Sequence, residues 1–383
     1  MSFPILTHDQ LLEQIARFDA MHYCKTRNFV TGRVSRLSPY ITHGIITIKD
    51  IVHISIKTCP IDQAEQWYKE LLRREYFVQV HYHQGNKIFE DMEEDKTGIP
   101  KLDLLPHAIR DKNFGASWIN ETITELETTG YLHNHQRMRL AAAFVHGYKL
   151  YRKKCADWTY YHFLDGELGS NHLSWQWVAS TFSHKPYYMN EDNLHKYRKK
   201  TITDTLFAGS YDDVYARVFD PARQSEVAHN DDIHHTLTTD LSDIPHAQQS
   251  YHNATILSPW DFHPTKITNP ATTICVLDPT FFAHHPRSPK RINFVQGYCN
   301  LYGIQLVQGS VSDILSQSTH CTIYETRNPI YRDVYAQAHK KGHTLIPHKR
   351  CSNVAKTQYT KKFFPFWEKS KKGLYQMEKE ACA

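Results

Sequence analysis

Polar clusters and helical apolar stripes alternate from Gly130 to Ala179. Asn134, Arg137 and Met138 stand at i, i+3 and i+4, so a helix puts an amide, a cation and a thioether on one face. Ala141, Phe144, Val145 and Tyr148 continue as an apolar stripe, which predicts one long core-facing helix headed by that polar cluster. A second helical pattern, Leu164, Leu168, Trp175, Val178 and Phe182, is interrupted by Asp165, Glu167 and Asn171. Carboxylates and an amide on the buried side of a Trp-rich helix cost free energy unless something satisfies them. A polar network joining two core helices fits this pattern, and so does a large planar polar ligand held between them.

The same periodicity predicts a helix over residues 7–20, capped by Thr7 and carrying Leu11, Leu12, Ile15 and Phe18. Another runs from Trp67 to Phe77, where Glu70 and Arg74 make an i, i+4 pair. Two more are expected over 101–110 and 117–128. Residues 198–255 lose periodicity and read as a polar linker with some local structure. Beyond them, strands over 272–277, 304–307, 322–324 and 344–346 alternate with helices over 289–302, 311–315 and 330–339, implying a small parallel α/β layer.

Composition narrows this little. The chain has 383 residues, 40% hydrophobic and 22% charged, as in ordinary globular proteins of two or three domains. A formal net charge of +5 permits a nucleic-acid partner without requiring one. The eight cysteines are scattered and none forms a C-x-x-C pair, so reduced thiols are expected, and neither a zinc knuckle nor an iron–sulfur cluster is suggested. No metal ligand set is assigned. The opening residues lack a signal pattern and no apolar run reaches membrane-spanning length, so a cytoplasmic protein is expected. Between residues 340 and 372 stand ten Lys or Arg against one acid, Glu368, with Phe363, Phe364, Phe366 and Trp367 interleaved. This tail fits a solvated end with one aromatic docking point, or a phosphate-binding surface.

The segment His133-Asn134-His135-Gln136-Arg137-Met138, followed by Asp165-Gly166-Glu167, Asn171 and Trp175-Gln176-Trp177, resembles the flavin site of the photolyase/cryptochrome family. The stretch Ser35-Arg36-Leu37-Ser38 looks like that family's phosphate-holding turn, with Arg33-Val34 where the family has Gly-Thr. The helix around Trp67-Tyr68-Lys69-Glu70-Leu71 resembles another family segment, and Thr97-Gly98-Ile99-Pro100 and the residues to about 197 extend the likeness. The implied fold is mostly α: a helical FAD-binding domain over 1–200, a linker over 201–255, a shortened antenna-like α/β domain over 256–350, in permuted order, and a basic tail over 351–383.

The resemblance implies FAD as cofactor and leaves an antenna chromophore unassigned. Tyr23, Ser35, Leu37, Ser38, Trp67, Glu70, Arg74, Asn134, Arg137, Asp165, Glu167 and Asn171 would contact the flavin nucleotide. Glu70, Asn134, Met138, Asn171 and Trp177 would face a substrate, and Trp175 with Trp158 would carry electrons. Glu167 replaces the family's usual Asp, so its backbone contact is better placed to survive than its side-chain one. The implied activity is light-driven electron transfer to cyclobutane pyrimidine dimers in damaged DNA, with the lesion flipped out of the duplex. Arg73 stands where the family's lesion-packing Trp is expected, and Arg152 occupies the middle of its tryptophan chain. Both departures favour the alternative, a blue-light photoreceptor signalling through a protein partner.

Overall fold

The computed structural model describes residues 3–198, 206–223, 225, 232–326, 328–348, 350–352 and 358–382. The chain forms helices and one five-stranded parallel sheet, gathered into two compact units that interleave along the sequence. The first unit takes residues 1–3, 25–34 and 86–237; the second takes 4–24, 35–85 and 238–383.

The first unit is helical. Its core is built by the helices Ser117–Thr129, Asn134–Ala142, Arg152–His162 and Leu168–Ala179, with Trp118, Leu140, Phe144 and Trp158 all buried. The long helix expected after Met138 stops at Ala142 and widens into a π turn over Ala143–Gly147, where Tyr148 N donates to Ala143 O at 2.8 Å. Packing accounts for the break. Gly147 faces Leu206 and Phe207 so closely that a Cβ there would lie 2.8 Å from Leu206 Cδ2. Lys149 then takes a left-handed backbone (φ 58°) and turns the chain.

The second helical pattern also starts later than expected. Leu164 to Glu167 form a turn, and Asp165 and Glu167 precede the helix Leu168–Ala179 instead of lying on it. Phe182 falls beyond its left-handed C-terminal residue Ser180. Of the helix expected over 101–110, only His107–Asp111 forms, because Pro106 sets the first turn and Leu102 pairs in extended form with Leu150. Within the expected linker, Ser210 caps a helix Tyr211–Val218 whose Val214 and Val218 are buried.

The second unit holds strands β1 (Thr255–Leu257), β2 (Thr273–Leu277), β3 (Gln305–Gln308), β4 (Thr322–Tyr324) and β5 (Thr344–Ile346) in the order β3-β2-β1-β4-β5. Four of the five match sequence expectation. The fifth, β1, is the central strand, and its three residues are too short to carry a period of their own. Helices His8–Ala16, Ile48–Thr58 and Glu65–Gln84 belong to the same unit.

The basic tail is not a solvated end. It forms the helix Phe363–Cys382, with Phe366 and Trp367 at 0% and 1% exposure. Tyr76 Oη donates to Lys361 O, Glu378 accepts from Ile61 N, and Lys371 pairs with Glu65 at 2.9 Å. One cation of this helix, Lys371, therefore meets an acid of the same unit. Among the described residues, no helix is long and apolar enough to cross a membrane, and the cysteines are free thiols.

Candidate functional site

In the first unit His133 opens the helix Asn134–Ala142 through a capping box with Gln136, whose amide also reaches Glu125 at 2.6 Å. The cap fixes the first turn, so Asn134 and Met138 share a face as predicted, with Asn134 Nδ2 at 3.5 Å from the thioether. Asn134 is exposed and Met138 half-buried. On the same turn Arg137 donates to Leu132 O and to Asp165 Oδ2, each at 2.9 Å, while its guanidinium lies 4.0 Å from the Phe163 ring centre. Asp165 is 3% exposed at its side chain and Arg137 27% exposed, so the pair presents a cation at the rim of a buried carboxylate.

Glu167 has a different task. Its two oxygens accept from Gly169 N at 2.9 Å and Ser170 N at 2.7 Å, capping the Leu168–Ala179 helix. Asn171 is likewise engaged: Nδ2 donates to Ala156 O at 2.8 Å and Oδ1 accepts from Thr159 Oγ1 at 3.3 Å. Thr159 also accepts from Trp175 Nε1 at 2.9 Å, so one hydroxyl ties Asn171, Trp175 and the Arg152–His162 helix together. Trp175 and Trp158 are both buried, and the ring of Phe144 stands between them at 6.4 and 6.1 Å. Trp177 is 41% exposed and lies 5.8 Å from Tyr187. Arg152 is buried against Asp91 at 2.6 Å.

The second unit gathers the other predicted contacts. Trp67 is buried between Phe18 at 4.8 Å and Tyr23 at 5.2 Å, with its Nε1 on Ser55 Oγ. Arg74 donates to Thr42 Oγ1 and lines a small pocket with Thr47, Lys49, Glu75, His348 and Arg350. Leu37 is buried; Ser35 and Ser38 are half-buried at the start of the helix Ser38–Thr42, after Arg36 in a left-handed backbone (φ 53°). Glu70 accepts from Gln66 at 2.7 Å and sits 3.4 Å from Arg73, whose guanidinium covers the Phe363 ring at 4.3 Å.

Sequence reasoning missed two centres in the first unit. Gln176, inside the Trp-Gln-Trp signature, is fully buried and works as a strap: it donates to Ile88 O and Glu90 O and accepts from Met92 N and Thr181 Oγ1. Asp157 gathers Lys153 at 2.8 Å, His234 at 3.0 Å and His172 at 3.6 Å. Burial opposes its ionisation, but the His234 hydrogen bond and the His172 and Lys153 charges prevail and bring its pKa down to about 2. The i, i+4 spacing of Lys153 and Asp157 was the available signal; the two histidines come from distant segments.

Against known proteins, residues 67–232 match the family model described as the FAD binding domain of DNA photolyase. A deoxyribodipyrimidine photo-lyase of Thermus thermophilus is 26% identical over 177 residues, covering 41% of this chain and 38% of that protein. A cryptochrome DASH of Idiomarina loihiensis is 25% identical over 216 residues, covering 53% of this chain and 46% of that one. A solved structure, a bacterial class III photolyase from Agrobacterium tumefaciens, aligns at 21% identity and a TM-score of 0.39, over 45% of this chain and 38% of its own. The matched segment supports a place for this chain in the photolyase/cryptochrome family and FAD as its cofactor. The chain spans less than half the length of these relatives.

The donor set fits a flavin nucleotide in part. Arg137 with Asp165 and the accessible Asn134 offer cation, acceptor and amide. Taken by itself, the second unit offers the hydroxyls of Ser35 and Ser38 and the cation of Arg74. The side chains of Glu167 and Asn171 are already spent on backbone groups, so their part in the fit is to hold the helix that carries Trp175 and Trp177.

Proposed function

We propose that this chain is a light-dependent DNA-repair flavoprotein acting on cyclobutane pyrimidine dimers. The observation that carries the reading is the accessibility of Asn134, Met138 and Trp177, the positions the family resemblance assigns to the substrate, on a segment otherwise packed and hydrogen-bonded. FAD, when bound and reduced, supplies a photoexcited electron. The chain's residues do the rest by position: in the first unit Arg137–Asp165 and Asn134 hold the nucleotide, with Glu167 and Asn171 acting through the scaffold, and in the second unit Tyr23, Ser35, Leu37, Ser38, Trp67 and Arg74 are the positions that the family resemblance assigns to it. Trp177 offers an exposed ring against which an extruded base can stack. Trp175 and Trp158, with Phe144 between them, form the internal route for recharging electrons. On this reading residues 1–200 supply the flavin-binding part and 256–350 an antenna-like α/β part.

One observation favours the second reading, a photoreceptor acting through a protein partner. Arg73, in place of the expected Trp, is tied to Glu70 and covers Phe363, so both polar side chains already have partners. The test uses the purified protein, its flavin photoreduced, with UV-irradiated oligothymidine under blue light. Repair predicts a light-dependent recovery of thymine absorbance. No recovery with flavin bound and reduced overturns repair and leaves the photoreceptor reading standing.

A further inference from the structure

In the second unit three side chains converge from positions far apart in sequence: His8 on the first turn of its helix, Asp50 on the first turn of Ile48–Thr58, and His263 shortly after β1. One ligand atom from each lies within 4.8 Å of the others. The imidazole rings meet edge to face at 4.9 Å, and their Nε2 atoms are both shielded from solvent without a hydrogen-bond partner. His263 Nε2 lies 3.3 Å from Asp50 Oδ2, an ion pair when the ring is protonated. A buried imidazole nitrogen without a hydrogen-bond partner is costly, and a second ring and a carboxylate within ligand distance of it give the cluster a common explanation.

We propose that His8, Asp50 and His263 bind a divalent transition-metal ion of the zinc type, with water completing the coordination shell. Two imidazoles and a carboxylate are a ligand set suited to zinc, cobalt or nickel, and three protein ligands leave room for water. The His263–Asp50 separation already equals the ligand–ligand edge of a tetrahedral zinc site, about 3.3 Å for bonds of about 2.0 Å. Outer partners hold the ligands: His263 Nδ1 lies 2.8 Å from Thr265 Oγ1 and 3.4 Å from Thr265 N, and in the tautomer with its proton on Nδ1 it donates to that hydroxyl and leaves Nε2 as the donor to metal. Asp50 is fixed by Thr47, whose N and Oγ1 donate to Oδ2 at 2.8 and 2.6 Å. A bound ion would pin two helix starts to the loop after β1.

The experiment is cobalt(II) and zinc titration of the metal-stripped full chain, followed by visible absorption and by calorimetry. We expect one equivalent bound, with a cobalt spectrum of nitrogen and oxygen ligation. His8→Gln and His263→Gln should each weaken binding by at least the 10–100-fold that loss of an outer-sphere partner costs. Circular dichroism of each variant separates lost ligation from lost folding, and the wild-type cobalt spectrum needs no variant at all. A sulfur-to-cobalt charge-transfer band, absence of a bound equivalent, or unchanged affinity in both folded variants overturns the site.

Discussion

The segment from His133 to Trp177 and the His8–Asp50–His263 cluster treat buried polarity in opposite ways. In the first, almost every motif residue finds a protein partner: Gln136 with Glu125, Arg137 with Asp165, Asn171 with Ala156, Gln176 with the 88–92 backbone. In the second, His8 Nε2 is shielded without a hydrogen-bond partner and His263 Nε2 faces the Asp50 carboxylate at 3.3 Å. A family-like motif is thus largely scaffold, and its ligand-facing part shrinks to the few side chains left accessible. A cluster that belongs to no recognised motif carries the stronger physical demand for a ligand.

Breaking the strap should have the largest effect. Gln176→Leu leaves Ile88 O, Glu90 O and Met92 N without their partner, and unsatisfied buried groups cost about 1–3 kcal/mol each. We expect a loss of at least about 3 kcal/mol in denaturant unfolding, with faster amide exchange over residues 88–95. A loss below about 1 kcal/mol would show that water replaces the amide.

Next comes pH. The Asp157 pKa falls on folding from an ordinary value near 4 to about 2, so its stabilisation is present above pH 4 and is lost as pH falls through 2. The shift corresponds to about 2–3 kcal/mol, since one pKa unit is about 1.4 kcal/mol. Asp157→Asn should flatten the acid limb of stability measured between pH 4 and 2; an unchanged limb would place the acid sensitivity elsewhere.

Glu167→Ala removes a helix cap and should cost about 1 kcal/mol in thermal or denaturant unfolding. If flavin content drops more steeply than stability, Glu167 touches the nucleotide directly and the scaffold role assigned to it is wrong. Trp177→Ala should be smallest in stability, within about 0.5 kcal/mol, because the ring is 41% exposed. Its effect belongs in oligothymidine affinity, and a folded variant that binds the irradiated oligomer as well as wild type would remove Trp177 from the substrate face.

Local pattern and residue identity were enough to place most elements. Thr7 and its helix, the Asn134–Met138 face, four parallel strands and the helix Pro289–Tyr302 follow from spacing, caps and period, because those signals act within a few residues. The family resemblance likewise rests on side-chain order alone. Tertiary packing decided the rest. Gly147 against Leu206 turned an expected helix into a π turn, and neighbours on both sides made a central strand of Thr255–Leu257. Glu167 became a cap once the chain turned at Asp165 and Gly166, and Phe366 and Trp367 drew a basic tail into a packed helix. Residues 8, 50 and 263 share no local signal, since their meeting depends on three chain segments closing around one point, which only the folded unit supplies.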